Sequence, residues 1–212
     1  MDDHLLRFDE KKSIVFIDCE TLNLCLNDCH NLPWQISMVK VKGNKIVAEK
    51  DYHVKWDTKL KISEEAARIT RFSESKLNKI GLPPKEVLPT VIDWLDSADY
   101  VGGHNLLGFD IYLIKDFYRY MGRDYSHLMP KILDTLSIAR GVKSGRRFKP
   151  DESFLAYQYR MASFKQRGLK ASLVALGKEY EIKHDYHNLH DALTDLKLNV
   201  KLWNKLKWQV NI

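Results

Sequence analysis

The chain has 212 residues, 44% hydrophobic and 29% charged, a balance that excludes a disordered polypeptide and supplies enough apolar material for a sizeable α/β core. No apolar run approaches the ~20 residues a membrane span requires, and the opening MDDHLLRFDEKKS is unlike a secretory or transit peptide, so a cytoplasmic setting is expected. A net charge of +6 and an isoelectric point near 9.0 suit a polyanionic partner such as nucleic acid without identifying one.

Ser13 to Glu20, SIVFIDCE, is apolar on both alternating faces until its acids arrive, the pattern of a buried central strand. Cys25, Cys29 and His30 lack a paired CxxC and a fourth ligand, so they read as a polar loop rather than a zinc site. Two more strands are expected from Gln35 and from Lys45, joined as a hairpin through Gly43-Asn44. From Ile62 the period turns helical: SEEAARI and SESKLNKI each begin with a serine cap and an acid in the first turn. Pro83-Pro84 opens a stronger helix with Val87, Val91, Trp94 and Leu95 at helical spacing.

A strand is expected over Tyr100 to Asn105, a helix over Phe109 to Tyr120, a fifth strand in KILDT from Lys131 and a short helix in TLSIARGV. Lys143 to Pro150, KSGRRFKP, reads as a basic loop. Helices then resume over about Glu152 to Ser163, Ala171 to Tyr180 and Asp191 to Lys207. No repeat or linker divides the chain, so residues 1–212 read as one domain: a mixed five-stranded α/β sheet flanked by helices.

Three short elements carry chemistry. Asp18 and Glu20, two apart in an extended strand, project from one face at its carboxyl end. Neighbouring acids there must protonate or bind a cation, and hard oxygen ligands select magnesium or manganese. Asp110 falls in the first turn of the helix after GHNLLGF, where the helix dipole alone would justify an acid. His190 and Asp195 stand five residues apart, about 500° of helix, so His190 is expected at the helix's leading end and Asp195 within the first turns.

In order and in local structure, DCET at 18–21, HNLLGFD at 104–110 and HDALTD at 190–195 resemble the motifs of the DnaQ-like exonuclease family, of the ribonuclease H-like superfamily. The likeness covers about residues 13–204. It implies a ribonuclease H-like fold and a 3′→5′ exonuclease that releases 5′-mononucleotides. Asp18, Glu20, Asp110 and Asp195 would hold two Mg2+ ions, for which Mn2+ can substitute, and His190 would be the general base. The tyrosine branch of the family carries a tyrosine where this chain has Asp191, so the histidine (DEDDh) branch is the one it resembles.

The resemblance also implies contacts to the substrate. Thr21, Leu22, Asn23, Phe72 and Asn105 match positions around the terminal nucleotide, although Leu22 and Asn23 replace a more usual Thr and Gly, and Arg71 stands where relatives usually carry Gly. From composition, Arg146 and Arg147 in the basic loop, with Phe148, Tyr157, Tyr159 and Phe164 nearby, are further candidates to hold a strand. The expected partner is nucleic acid with a free 3′ end, single-stranded DNA ahead of RNA. Whether a polymerase partner exists, and whether the role is proofreading or end trimming, stays open. The alternatives are a ribonuclease H-like endonuclease and a non-catalytic nucleic-acid-binding or polymerase-associated module.

Overall fold

The computed structural model describes residues 6–23, 31–57, 61–149 and 151–211. The segment with Cys25, Cys29 and His30 and the first five residues of the amino-terminal stretch lie outside the described residues.

β1 (Ser13–Thr21), β2 (Pro33–Lys42) and β3 (Lys45–His53) form the expected meander, and Gly43 takes the positive φ of 58° that the tight turn between β2 and β3 requires. α1 (Glu64–Thr70) and α2 (Glu74–Ile80) follow, capped by the side chains of Ser63 and Ser73, then α3 (Pro84–Ser97). β4 (Tyr100–Gly103), α4 (Asp110–Tyr120), β5 (Ile132–Asp134) and α5 (Thr135–Lys143) complete the sheet and its crossovers. α6 (Phe154–Ala162), α7 (Leu173–Glu179) and α8 (Ala192–Leu206) close the described chain.

The sheet runs β3-β2-β1-β4-β5, antiparallel across the meander and parallel from β1 to β4 to β5. This is the mixed five-stranded sheet expected, with β1 at its centre. The β4 strand is shorter than its apolar pattern suggested. Asn105 turns into the left-handed region at φ 66°, and a single 3-10 turn over Leu106–Gly108 leads into α4.

Alternation along β1 divides the core in two. Val15, Ile17 and Cys19 face α3 and α4, packing with Val91, Leu95, Ile111 and Ile114. Ile14 and Phe16 face α5 and α8, packing with Ile138, Leu196, Val200 and Trp203. Asp18 and Glu20 share the parity of Ile14 and Phe16, so the strand aims both at the α8 side.

Gly102 on β4 lies opposite Phe16, and a Cβ there would come within 2.6 Å of that fully buried ring. Because the ring has no space to retreat into, Gly102→Ala is expected to destabilise the fold by about 1–3 kcal/mol, the usual penalty of overpacking. Denaturant unfolding should show a lower midpoint; an unchanged midpoint would mean that the ring can move.

Candidate active site

β1 delivers Asp18 and Glu20 to the carboxyl end of the sheet, where a register shift between Glu20 and Thr21 ends the regular ladder. α8 delivers Asp195 from its first turn, so that carboxylate oxygens of Asp18, Glu20 and Asp195 all lie within 4.8 Å of one another. Asp110 opens α4 on the opposite face and approaches from the Cys19 side, with only 3% of its surface exposed. The structure thus brings together three of the four expected acids as one tight group, with the fourth packed behind them.

The start of α8 is held from two directions. Asp191 is its N-cap, accepting the Thr194 N–H at 3.0 Å and its hydroxyl at 2.7 Å. Gln35 on β2 donates to the same Asp191 carboxylate at 3.1 Å, tying the helix to the sheet. His190, one residue earlier, has φ 68° and an exposed side chain, and its backbone N–H points to Asp195 Oδ1 at 3.3 Å. The expected position of His190 at the leading end of the helix is the observed one.

Burial dominates the protonation of these acids, and mutual repulsion adds to it. Asp18 is raised well above the usual carboxylate range by burial and then by Asp110, Glu20 and Asp195. Glu20 is pushed up to about 8 by burial and then by Asp195 and Asp110. Asp110 rises to about 7 and Asp195 to about 6, each chiefly through burial. A buried oxygen of Asp110, Oδ1, has no hydrogen-bond partner among the described residues. An all-carboxylate donor set that resists ionisation and includes an unpartnered buried oxygen fits a hard divalent cation.

Beneath the trio, Asp18, Asp195, His104, Leu173, Leu196 and Asn199 line a cavity of about 160 Å³. Burial lowers the His104 imidazole to about 4, so it is neutral, and its Nδ1 lies 3.0 Å from the Thr135 hydroxyl. Thr135 in turn lies 2.7 Å from Asn199. Neither Thr135 nor Asn199 was singled out from the sequence. Asn199 did carry a signal: it stands four residues past Asp195, on the same face of the expected helix.

Beyond Glu20 the chain forms a wall. The Thr21 hydroxyl donates to the Asn23 carbonyl at 2.6 Å, and the Asn31 amide brackets the Asn23 backbone at 3.0 and 2.8 Å. Leu22 and Phe72 line a cavity of about 560 Å³ with Trp34, Trp56, Lys55 and Lys61. Phe72 meets Trp34 edge-on at 5.3 Å, and the buried Trp34 Nε1 has no partner among the described residues. Trp34 was not singled out from the sequence. On the other side of the acids, Asn105 is exposed, its N–H held by Asp134 at 3.1 Å.

Arg146 and Arg147 are not brought to the acids. They line a separate cavity of about 410 Å³ with Trp208, Gln209 and Val210, past the far end of α8. From Asp195 to Leu206 the helix rises ~16 Å at about 1.5 Å per residue. The aromatic residues near them are largely committed to one another: Phe148 packs on Phe154 and Tyr157, while the Arg146 guanidinium sits 4.5 Å from the Phe164 ring centroid. Arg160 is paired with Glu152. The basic loop therefore belongs to the opposite end of the sheet, because α5 carries the chain away from the site before the loop begins.

A carboxylate whose folded pKa is raised keeps its proton where the unfolded chain has lost it, so its stabilising contribution fades as pH rises toward the folded value. Above pH 6.5, where neutral His104 no longer contributes a slope, Asp110 near 7 and Glu20 near 8 still do. Thermal unfolding in chelator is expected to show a Tm falling between pH 6.5 and 8, a shallower fall for Glu20→Gln, and recovery on adding Mg2+. A wild-type Tm that is flat in chelator would contradict the raised affinity of these carboxylates for protons.

Residues 15–203 match the RNase_T family, described as exonuclease. Among curated protein sequences there is no significant match. In fold, the chain is similar to E. coli Exonuclease I in complex with a dT13 oligonucleotide, with a TM-score of 0.71 and 16% identity over 93% of this chain and 41% of that one. The complex of the same enzyme with dA16 gives a TM-score of 0.73 at 16% identity with the same coverage. The zinc-bound form of the E. coli enzyme with single-stranded DNA gives 0.71 at 15%, again covering 93% and 41%. This chain therefore spans about two fifths of the length of those structures. Their likeness bears on the fold, which is ribonuclease H-like, while the family match runs through all three acidic motifs, and on it the chain belongs to the RNase_T family of DnaQ-like exonucleases.

Proposed function

We propose that the chain is a two-metal 3′→5′ exonuclease acting on single-stranded DNA with a free 3′ end and releasing 5′-mononucleotides. The observation that carries this reading is the convergence of Asp18, Glu20 and Asp195 beside His190, next to an aromatic cavity large enough for a nucleotide. Support for the substrate class comes from the similar E. coli enzyme, whose structures hold dT13 and dA16.

Asp18, Glu20, Asp110 and Asp195 would hold two Mg2+ ions, with Mn2+ as a substitute; bound there, such ions supply a water of lowered pKa and a counter-charge for the leaving 3′ oxygen. The remaining work falls to the chain. His190 accepts the proton of the attacking water at an imidazole nitrogen, as general base. Leu22, Trp34 and Phe72 offer apolar and aromatic surface against which the last base stacks, with Lys55 and Lys61 available to the backbone phosphates. Positioning of this kind is the main requirement of an in-line phosphoryl displacement.

Asp18→Asn and Asp195→Asn are expected to abolish turnover while preserving the fold, because an amide is a poor ligand for a hard dication. His190→Ala should slow turnover by roughly 10²–10⁴-fold and leave metal binding intact. Calorimetric titration with Mn2+ separates the two roles; loss of metal affinity in His190→Ala would make that residue a ligand instead.

Exonuclease action also makes a prediction about ends. Linear single strands should shorten stepwise to mononucleotides, a closed circle of the same sequence should survive, and a bulky block at the 3′ but not the 5′ terminus should protect. Magnesium-dependent linearisation of circles by the wild type, absent in Asp18→Asn, would establish an endonuclease in place of this reading.

A further inference from the structure

Arg71 ends α1 in the left-handed region, at φ 54° and ψ 36°, a conformation unfavourable for any residue with a Cβ. A residue kept in such a position invites the question of what its side chain does there. Its guanidinium spans to the loop that carries His190: Nη2 donates to the His187 carbonyl at 2.7 Å and Nη1 to Asn188 Oδ1 at 3.3 Å. No other side chain from outside that loop bonds His187 or Asn188 among the described residues. The loop's remaining bonds there are internal, from the His187 N–H and the Asn188 amide to Asp185.

The opposite end of α1 is tied as well. The Ser63 N–H donates to the Leu22 carbonyl at 3.0 Å, two residues past Glu20. The helix therefore bridges the exit of β1 and the His190 loop, and Phe72, next to Arg71, packs on Trp34 in the aromatic cavity. An arginine is suited to this bridge because its planar fork serves two acceptors at once.

We propose that Arg71 is a positioning residue, which clamps the His190 loop to the wall formed by α1 and Phe72 and so holds His190 over the acidic site. This rests on the exonuclease reading of that site.

Arg71→Gly is the informative variant, since glycine accepts the backbone conformation and only the side chain is lost. On a single-stranded oligonucleotide with Mg2+, it should lower kcat by about tenfold or more and change KM by less than about twofold, as expected of a misplaced catalytic group. In a His190→Ala background the same substitution should change kcat by less than about twofold, because the two act as a unit. Arg71→Lys should recover part of the loss. Amide hydrogen exchange at residues 187–190 should accelerate in Arg71→Gly, whatever the activity.

An equal loss in the His190→Ala background, a raised KM with unchanged kcat, or unchanged exchange at 187–190 would each overturn the proposal. If the wild type cleaves no strand, the exonuclease reading has failed, and the exchange measurement still decides whether Arg71 clamps the loop.

Discussion

Negative charge gathered in a partly buried space is the constraint on which the rest of this structure depends. Burial raises the affinity of Asp18, Glu20, Asp110 and Asp195 for protons, and neighbouring carboxylates add to it: the other acids of the group at Asp18 and Glu20, Asp134 at Asp110 and Asp191 at Asp195. A chain can keep such a group only if each carboxylate is carried by an element that cannot yield. Asp18 and Glu20 are on the central strand, with neighbours hydrogen-bonded on both sides over part of its length. Asp195 is one turn inside a helix whose start is fastened to β2 by Gln35, and Asp110 is backed by the Cys19 thiol and the α4 core.

Asp134 is the instructive contrast. It is fully buried and its affinity for protons is also raised by burial, yet four backbone N–H groups, those of Asn105, Leu107, Leu136 and Ser137, work in the other direction. Those bonds cap α5 and simultaneously fix the left-handed turn that launches α4 toward the site. One buried carboxylate is thus spent on architecture, and it positions another that is left with an unpartnered oxygen. On the proposed function, the two acids differ in who supplies the compensating positive charge: backbone dipoles at Asp134, and a cation that Asp110 would help to hold.

Much of this was legible in the sequence because it depends on local periodicity. The meander, the serine caps of α1 and α2, the proline start of α3 and the parity that places Asp18 with Glu20 all follow from spacing within a few residues. Legibility failed where the outcome depends on tertiary paths. Arg146 and Arg147 follow Asp134 and Thr135 closely in sequence, but α5 intervenes and carries the chain to the other end of the sheet. Trp34 is far from the acidic motifs in sequence, yet β2 pairs with β1 and brings it beside Leu22 and Phe72. Asp134 and Thr135 read as an ordinary strand end and helix start, since hydrogen bonds to residues some thirty positions away leave no periodic trace.

The distribution of positive charge bears on how a polyanion would reach so acidic a centre. Several cations away from the site are neutralised by partners: Arg123 with Asp96, Arg160 with Glu152, Lys143 with Glu179 and Lys197 with Glu49. Lys55 and Lys61 line the aromatic cavity and enter no ion pair among the described residues, while Lys76 is near enough to bear on Asp191 and His53. Exposed charges of this kind act over about a Debye length, ~8–10 Å at ordinary ionic strength. They give the approach beside the acids a sign opposite to that of the acids themselves. On the proposed function, a phosphate backbone would be met by cations along its path and by carboxylates only where a divalent ion stands between the two.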